Sequence, residues 1–250
     1  ALERWSDIKK LRIPDYDNVS RYEAVQKRFH ASTDKFKIGV IPGWVFDTSR
    51  YLRKMEIYLC DLLEHREKVD HLNSLISDLL IKSIACYAEV GADAIVFYED
   101  MGTQTSLLIS PTMWRDVFKT HYARLVCAAH DHGLKVFMHS CGQNWELLDD
   151  LIKVGIDCFN FDQPAAYNME ALAAKLKASN VGLWSPIDIQ RYLPTGNKEL
   201  IQKEARRMID LFQGNLILKS YSDLPGIGVQ YEWEQWAYDA FVEYIEEKYK

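Results

Sequence analysis

The chain has 250 residues, 48% of them hydrophobic and 26% charged, with a formal net charge of −6 and an isoelectric point near 5.7. That acidity, with basic residues scattered rather than clustered, argues against an electrostatic partnership with nucleic acid or an anionic membrane surface. No apolar run reaches 18 residues and no basic-then-apolar leader opens the chain, so a soluble, cytoplasmic, single-domain protein is expected.

Residues 1–36 mix charges with little strand character and are expected to pack as helical or irregular structure outside a sheet, leaving 37–250 as the main domain. From there, short runs rich in Val, Ile and Phe alternate with segments of helical period, the pattern of repeated β/α units. Strands are predicted at 37–43, 94–98, 135–139, 157–161, 181–184 and 216–220, and helices at 66–89, 112–131, 144–153, 168–177, 197–212 and 232–248. Ser110-Pro111 marks a helix start, and Gly133, Gly155 and Gly214 stand where a left-handed residue ends one. In the last helix Trp233, Trp236, Phe241 and Tyr244 recur at helical spacing as a core stripe, while the basic run 203–207 reads as a solvated face.

An internal echo supports the repeat. EVGADAIVFYED (89–100) and KVGIDCFNFDQ (153–163) share a helix end, a short apolar strand and acids at the strand's C-terminal end. In parallel β/α folds such ends share a face, and a (β/α)8 barrel is expected ahead of a doubly wound open sheet, since no G-x-G-x-x-G follows the first strand. Six strands would leave the barrel incomplete. The chain opens without Met, and it is expected to be a piece whose N-terminal remainder finishes the barrel.

The strand ends would gather Trp44 and Asp47, Glu99 and Asp100, His139 and Cys141, Asn160, Asp162 and Gln163, Ser185 and Asp188, and Tyr221, Ser222 and Asp223. Together these supply acids, a soft ligand, an imidazole and amides, the mixture an active site needs. The five cysteines are odd in number and irregular in spacing, which suits reduced thiols. His139 and Cys141, two residues apart at one strand end, can reach one zinc ion, with a third ligand from Glu99, Asp162 or Asp223; the other reading is a satisfied histidine beside an inert thiol. Cys158 lies early in its strand and reads as core. Glu99, Asp100 and Asp188 are the expected catalytic carboxylates, and Trp44, Asn160, Gln163, Tyr221 and Ser222 the expected substrate-binding residues.

Three blocks, GADAIVFYEDMGTQTSLLISPTMWRDVFKTHY, VFMHSCGQNWELLDDLIKVGIDCFNFDQP and LWSPIDIQRYLPTGNKELIQKEARRMIDLF, resemble the uroporphyrinogen decarboxylase superfamily from about Lys37 to Gly228. The resemblance implies a (β/α)8 barrel. True decarboxylases of that superfamily carry an R-Q-A-G-R segment that is absent from this sequence. Its zinc-dependent branch, which moves methyl groups to or from a corrinoid protein, is similar in the H-x-C of His139 and Cys141. Where that branch has a P-G-C cysteine this chain reads LKSYSDLPGIG, so the resemblance implies an oxygen ligand, Asp162 or Asp223, as the third. The implied cofactors are Zn²⁺ and a corrinoid carried by a partner protein, and the implied substrates a small methyl donor or acceptor. A homodimer is the self-association considered. The alternatives are a cofactor-free decarboxylase, in which Glu99 or Asp100 would stabilise a protonated pyrrole, and a catalytically silent ligand-binding barrel.

Overall fold

The computed structural model describes residues 2–249, and the chain divides into two compact units. The first takes in Ala1–Asp100, Ile109–His139 and Glu146–Ile156. After two 3-10 turns it runs through α1 (Glu23–Ala31), β1 (Ile38–Ile41), α2 (Val45–Arg53), α3 (Met55–Glu64), α4 (Arg66–Glu89), β2 (Ala94–Tyr98), α5 (Pro111–Val117), α6 (Lys119–Asp131), β3 (Lys135–His139) and α7 (Leu148–Val154). The strands pair in parallel, β1 with β2 and β2 with β3, with Val40 opposite Val96 and Tyr98 opposite His139. Ala94 to Phe97 are buried on both faces, which is why β2 reads as an unbroken apolar run rather than an alternation.

The long helix α4 buries Val69, Leu72, Asn73, Ile76, Ser77, Leu80 and Ile84, a stripe of helical period that packs against α2, α3 and α6. Asn73 makes this junction specific. Its Oδ1 accepts the hydroxyls of Ser49 in α2 and Tyr58 in α3, each at 2.8 Å. Arg53, itself buried, pairs with Asp61 at 2.7 Å and donates to the carbonyls of Leu2 and Glu3, tying the N-terminal residues to α2 and α3. Neither α2 nor α3 was among the predicted helices. Trp44 at the start of α2 has no side-chain acceptor to cap it, and Lys54, at φ 66°, breaks the period between the two. The predicted helix 112–131 is likewise two helices, α5 and α6, with Ser110 accepting from Met113 N–H at 3.1 Å to start the first.

The second unit takes in Met101–Leu108, Ser140–Trp145 and Asp157–Lys250. It holds β4 (Cys158–Asn160), α8 (Met169–Ala178), β5 (Gly182–Ser185), α9 (Lys198–Phe212), β6 (Leu216–Leu218) and α10 (Tyr231–Tyr249). Its pairings are also parallel, with Asn160 opposite Trp184 and Ser185 opposite Leu218. Helix α9 buries Ile201, Glu204, Ala205, Met208, Ile209 and Phe212, so the basic run is divided: Lys203 and Arg206 are exposed, while Glu204 is buried and holds Arg207 at 2.9 Å. Phe241 of α10 is buried, and Trp233, Trp236 and Tyr244 are half-buried.

Asn197 caps α9 by accepting Leu200 N–H at 3.1 Å. Asn197→Ala is expected to cost about 1 kcal/mol, read as a lower denaturation midpoint with an unchanged denaturant slope. A slope change would mean that more than the cap was lost.

Candidate functional site

The register that sets Tyr98 opposite His139 brings the C-terminal ends of β2 and β3 level. Asp100 lies just beyond β2, and its Oδ1 is 3.8 Å from Nε2 of His139. Cys141 follows two residues after that histidine. One ligand atom from each of Asp100, His139 and Cys141 lies within 4.8 Å of the other two, the one such group among the described residues. The His139 ring also rests against Tyr98, with centroids 4.9 Å apart. His139 is nearly buried while the Asp100 side chain is 43% exposed, so the group opens to solvent on the carboxylate side.

The turn bearing Cys141 is held by residues that sequence reading did not single out. Asn144, fully buried, donates through Nδ2 to the carbonyls of Cys141 at 3.1 Å and Gly142 at 3.2 Å. The Tyr167 hydroxyl donates to the Gly142 carbonyl at 2.9 Å and accepts Asn144 N–H at 3.2 Å; burial pushes its pKa up to about 12. Gln163, expected to bind substrate, accepts Gly142 N–H at 2.9 Å. Gly142 has φ +72°, and a Cβ there would stand 2.6 Å from the Gly102 carbonyl oxygen; one on Gly102 would stand 2.6 Å from Gln143 N. The segments 101–108 and 140–145 therefore meet backbone to backbone, which only glycine allows.

Glu99 is fully buried and its carboxylate is committed. It accepts the N–H groups of Phe46 at 2.9 Å and Asp47 at 3.0 Å and the hydroxyl of Tyr122 at 2.6 Å. It thus caps α2 from a distant part of the chain, supplying what Trp44 lacks. Burial, then the neighbouring Asp47, raises its pKa to about 8. Asp47 is also raised, chiefly by burial, against the lowering pull of Arg50, whose Nε lies 2.6 Å from it.

The other expected site residues are placed as follows. Trp44 is fully buried and stacks on Phe97 at 4.0 Å, inside the aromatic core with Tyr122. Asp188, 1% exposed, accepts the N–H groups of Ala165, Gln190 and Arg191 at 2.7–2.9 Å, so its oxygens order loops. Asn160 donates to the Trp184 carbonyl at 2.7 Å, and its Oδ1 accepts from Lys219 at 3.4 Å. Lys219, which sequence reading missed, pairs with Asp162 at 2.7 Å and lies over the Trp184 ring at 5.3 Å. The carboxylate gathered with His139 and Cys141 is therefore Asp100, while Asp162 is held by a lysine and Asp223 is exposed and accepts Gly226 N–H at 3.1 Å. Tyr221 is half-buried and Ser222 exposed. Cys158 is buried, and desolvation pushes its thiol up to about 12.

A cavity of about 580 Å³ lies elsewhere in the first unit, lined by apolar residues of α4 such as Leu72, Leu75 and Leu79 together with Val25, Val40 and Arg12. None of the expected site residues lines it.

Comparison with known proteins agrees with this architecture. The model of the uroporphyrinogen decarboxylase (URO-D) family matches residues 2–248. Among solved structures, a methyltransferase from Methanosarcina mazei is similar at TM-score 0.74 and 15% identity, over 98% of this chain and 70% of that one. A dihydropteroate synthase from Anaplasma phagocytophilum, at 19% identity over 72% of this chain and 69% of that one, reaches a TM-score of only 0.46, too slight to build on. No curated protein matches. The shared fold is the (β/α)-barrel class, here with six parallel strands among the described residues rather than eight.

Proposed function

Because the chain belongs to the uroporphyrinogen decarboxylase family, we propose that it is a methyltransferase, exchanging a methyl group between a small molecule and a corrinoid carried by a partner protein, at a zinc site formed by Asp100, His139 and Cys141. The observation that carries this reading is the convergence of one oxygen, one nitrogen and one sulfur donor within 4.8 Å. The likeness to the Methanosarcina mazei methyltransferase supports it.

The donor set, an imidazole, a thiolate and a carboxylate, is one that zinc takes. Tetrahedral zinc would hold such atoms roughly 3.4–3.6 Å apart; His139 and Asp100 stand 3.8 Å apart and all three atoms within 4.8 Å, so binding would draw the group together. Three protein ligands with one open position are the pattern of catalytic rather than structural zinc. Bound there, zinc would supply a Lewis acid that activates an acceptor thiolate or polarises a methoxy oxygen. The protein's own part is positional. Asn144 and Tyr167 hold the Cys141 turn, Tyr98 supports the His139 ring, and the exposed side of Asp100 leaves room for substrate.

The test is metal content after exchange into zinc under reducing conditions and removal of excess. One zinc per chain is expected, lost in His139→Ala and Cys141→Ala, together with zinc-dependent demethylation of methylcobalamin by a thiol acceptor. Absence of zinc from the unaltered protein would overturn the reading.

A further inference from the structure

We propose that Asp47 is a positioning residue for Asp100, fixing where that carboxylate stands beside His139. The inference rests on the metal reading of Asp100, His139 and Cys141.

Asp47 sits in the first turn of α2 and is 4% exposed, so neither solvent nor a surface partner accounts for its carboxylate. Its Oδ2 accepts the backbone N–H of Asp100 at 3.3 Å, and its Oδ1 accepts Arg50 Nε at 2.6 Å. In the opposite direction, Glu99 accepts the N–H groups of Phe46 and Asp47. The pairs 46–47 and 99–100 are thus clamped reciprocally, each supplying a carboxylate to the other's backbone. This is the logic of a capping box, built between residues far apart in the chain.

The two halves do different things. Glu99 alone suffices to cap α2, as its two accepted N–H groups show. The Asp47 to Asp100 bond adds nothing to that cap; what it restrains is the peptide from which the Asp100 side chain departs. Arg50 completes the device. Its side chain is only 11% exposed, lies over the rings of Phe46 at 5.7 Å and Tyr51 at 4.7 Å, and holds Asp47 in place while offsetting its charge. A bare second anion next to Asp100 would repel the carboxylate it positions; one paired with a guanidinium does so far less. Partners that hydrogen-bond a ligand side chain directly commonly account for about 10–100-fold in affinity; Asp47 acts through the Asp100 backbone, so the lower end of that range is expected.

The simpler account makes Asp47 and Arg50 an ordinary helix pair three residues apart. The two accounts separate on metal binding. Zinc affinity is measured by competition with a chromophoric chelator, and Co²⁺ is substituted to read ligand geometry from the visible absorption bands. Asp47→Ala is expected to raise the zinc Kd by about 10-fold and to weaken the Co²⁺ bands. Asp47→Asn, which keeps the shape but loses one of the two acceptors, is expected to fall between Asp47→Ala and the unaltered protein. Asn197→Ala, destabilised at the cap of α9, is expected to bind zinc normally, showing that lost stability alone does not move the Kd. Should Asp47→Ala fail to fold by circular dichroism, Asp47→Asn decides, and a Kd equal to that of the unaltered protein overturns the proposal. Zinc binding by the unaltered protein with no change in either variant overturns the positioning role alone; no zinc binding at all overturns the metal reading and this inference with it.

Discussion

Gly142→Ala is expected to cost about 2–6 kcal/mol and to weaken zinc binding with it. Two penalties add. The residue sits at φ +72°, where a side chain costs roughly 1–3 kcal/mol. The new methyl group would also lie 2.6 Å from the Gly102 carbonyl oxygen and closer still to that of Thr103. Both obstacles are backbone, so no rotamer relieves them, and overpacking of this kind adds about 1–3 kcal/mol. The turn 140–145 must move, and Cys141 moves with it. Gly214→Ala is the control: its φ is +92°, but nothing stands within 4 Å of the added methyl group, so only the conformational penalty applies. Chemical denaturation of the two variants with chelator present compares the costs. Equal losses would show that the contact with Gly102 and Thr103 is immaterial.

The second large effect is on pH dependence. Burial, then the neighbouring Asp47, pushes the Glu99 carboxyl up to about 8 in the folded protein from 4.5 for an ordinary glutamate, outweighing the three hydrogen bonds that favour its anion. Between those values the folded state keeps a proton that the unfolded chain has released. The contribution of Glu99 is therefore fully present below pH 4.5 and is lost as pH rises through about 8, with a slope of at most about 1.4 kcal/mol per pH unit. The metal-free protein is expected to lose stability steadily from pH 5 to pH 8. Glu99→Gln keeps an acceptor for Phe46 N–H and cannot ionise, so its stability profile over that interval should be flatter. Parallel profiles for the two proteins would place the titration elsewhere.

How much could be read beforehand depended on how local each cause was. The strands 94–98 and 135–139 and the helix 66–89 were legible to the residue, because the apolar run of β2 and the helical period of α4 lie within the elements themselves. Strand β6 came out shorter than predicted, Leu216–Leu218, although the Lys219 N–H still reaches the Ser185 carbonyl at 3.4 Å. Helices α2 and α3 were missed since the cap of α2 is Glu99, contributed from the end of β2. The histidine and cysteine of the candidate site stand together in the sequence and were legible as a pair. Their companion was not: no spacing rule distinguishes Asp100 from Asp162 or Asp223, and what separates them is the parallel register of β2 on β3 and the presence of Lys219. Asp188, expected to be catalytic, and Gln163, expected to bind substrate, stand at strand ends, where polar residues serve loops and ligands with the same chemistry; the bonds each makes to nearby backbone N–H groups belong to the first of those uses.

The cavity beside α4 has a practical consequence at the bench. Environment-sensitive dyes such as ANS brighten when they enter apolar space, and this is ordinarily taken as a sign of loosened packing. Here about 580 Å³ lined mainly by aliphatic and tyrosine side chains, with Arg12 and Arg21 among them to meet a sulfonate, is already open in the native fold, so the folded protein is expected to fluoresce with such dyes before any heating. A melting curve followed by dye would then start high and understate the transition, whereas far-ultraviolet circular dichroism reports the helices directly.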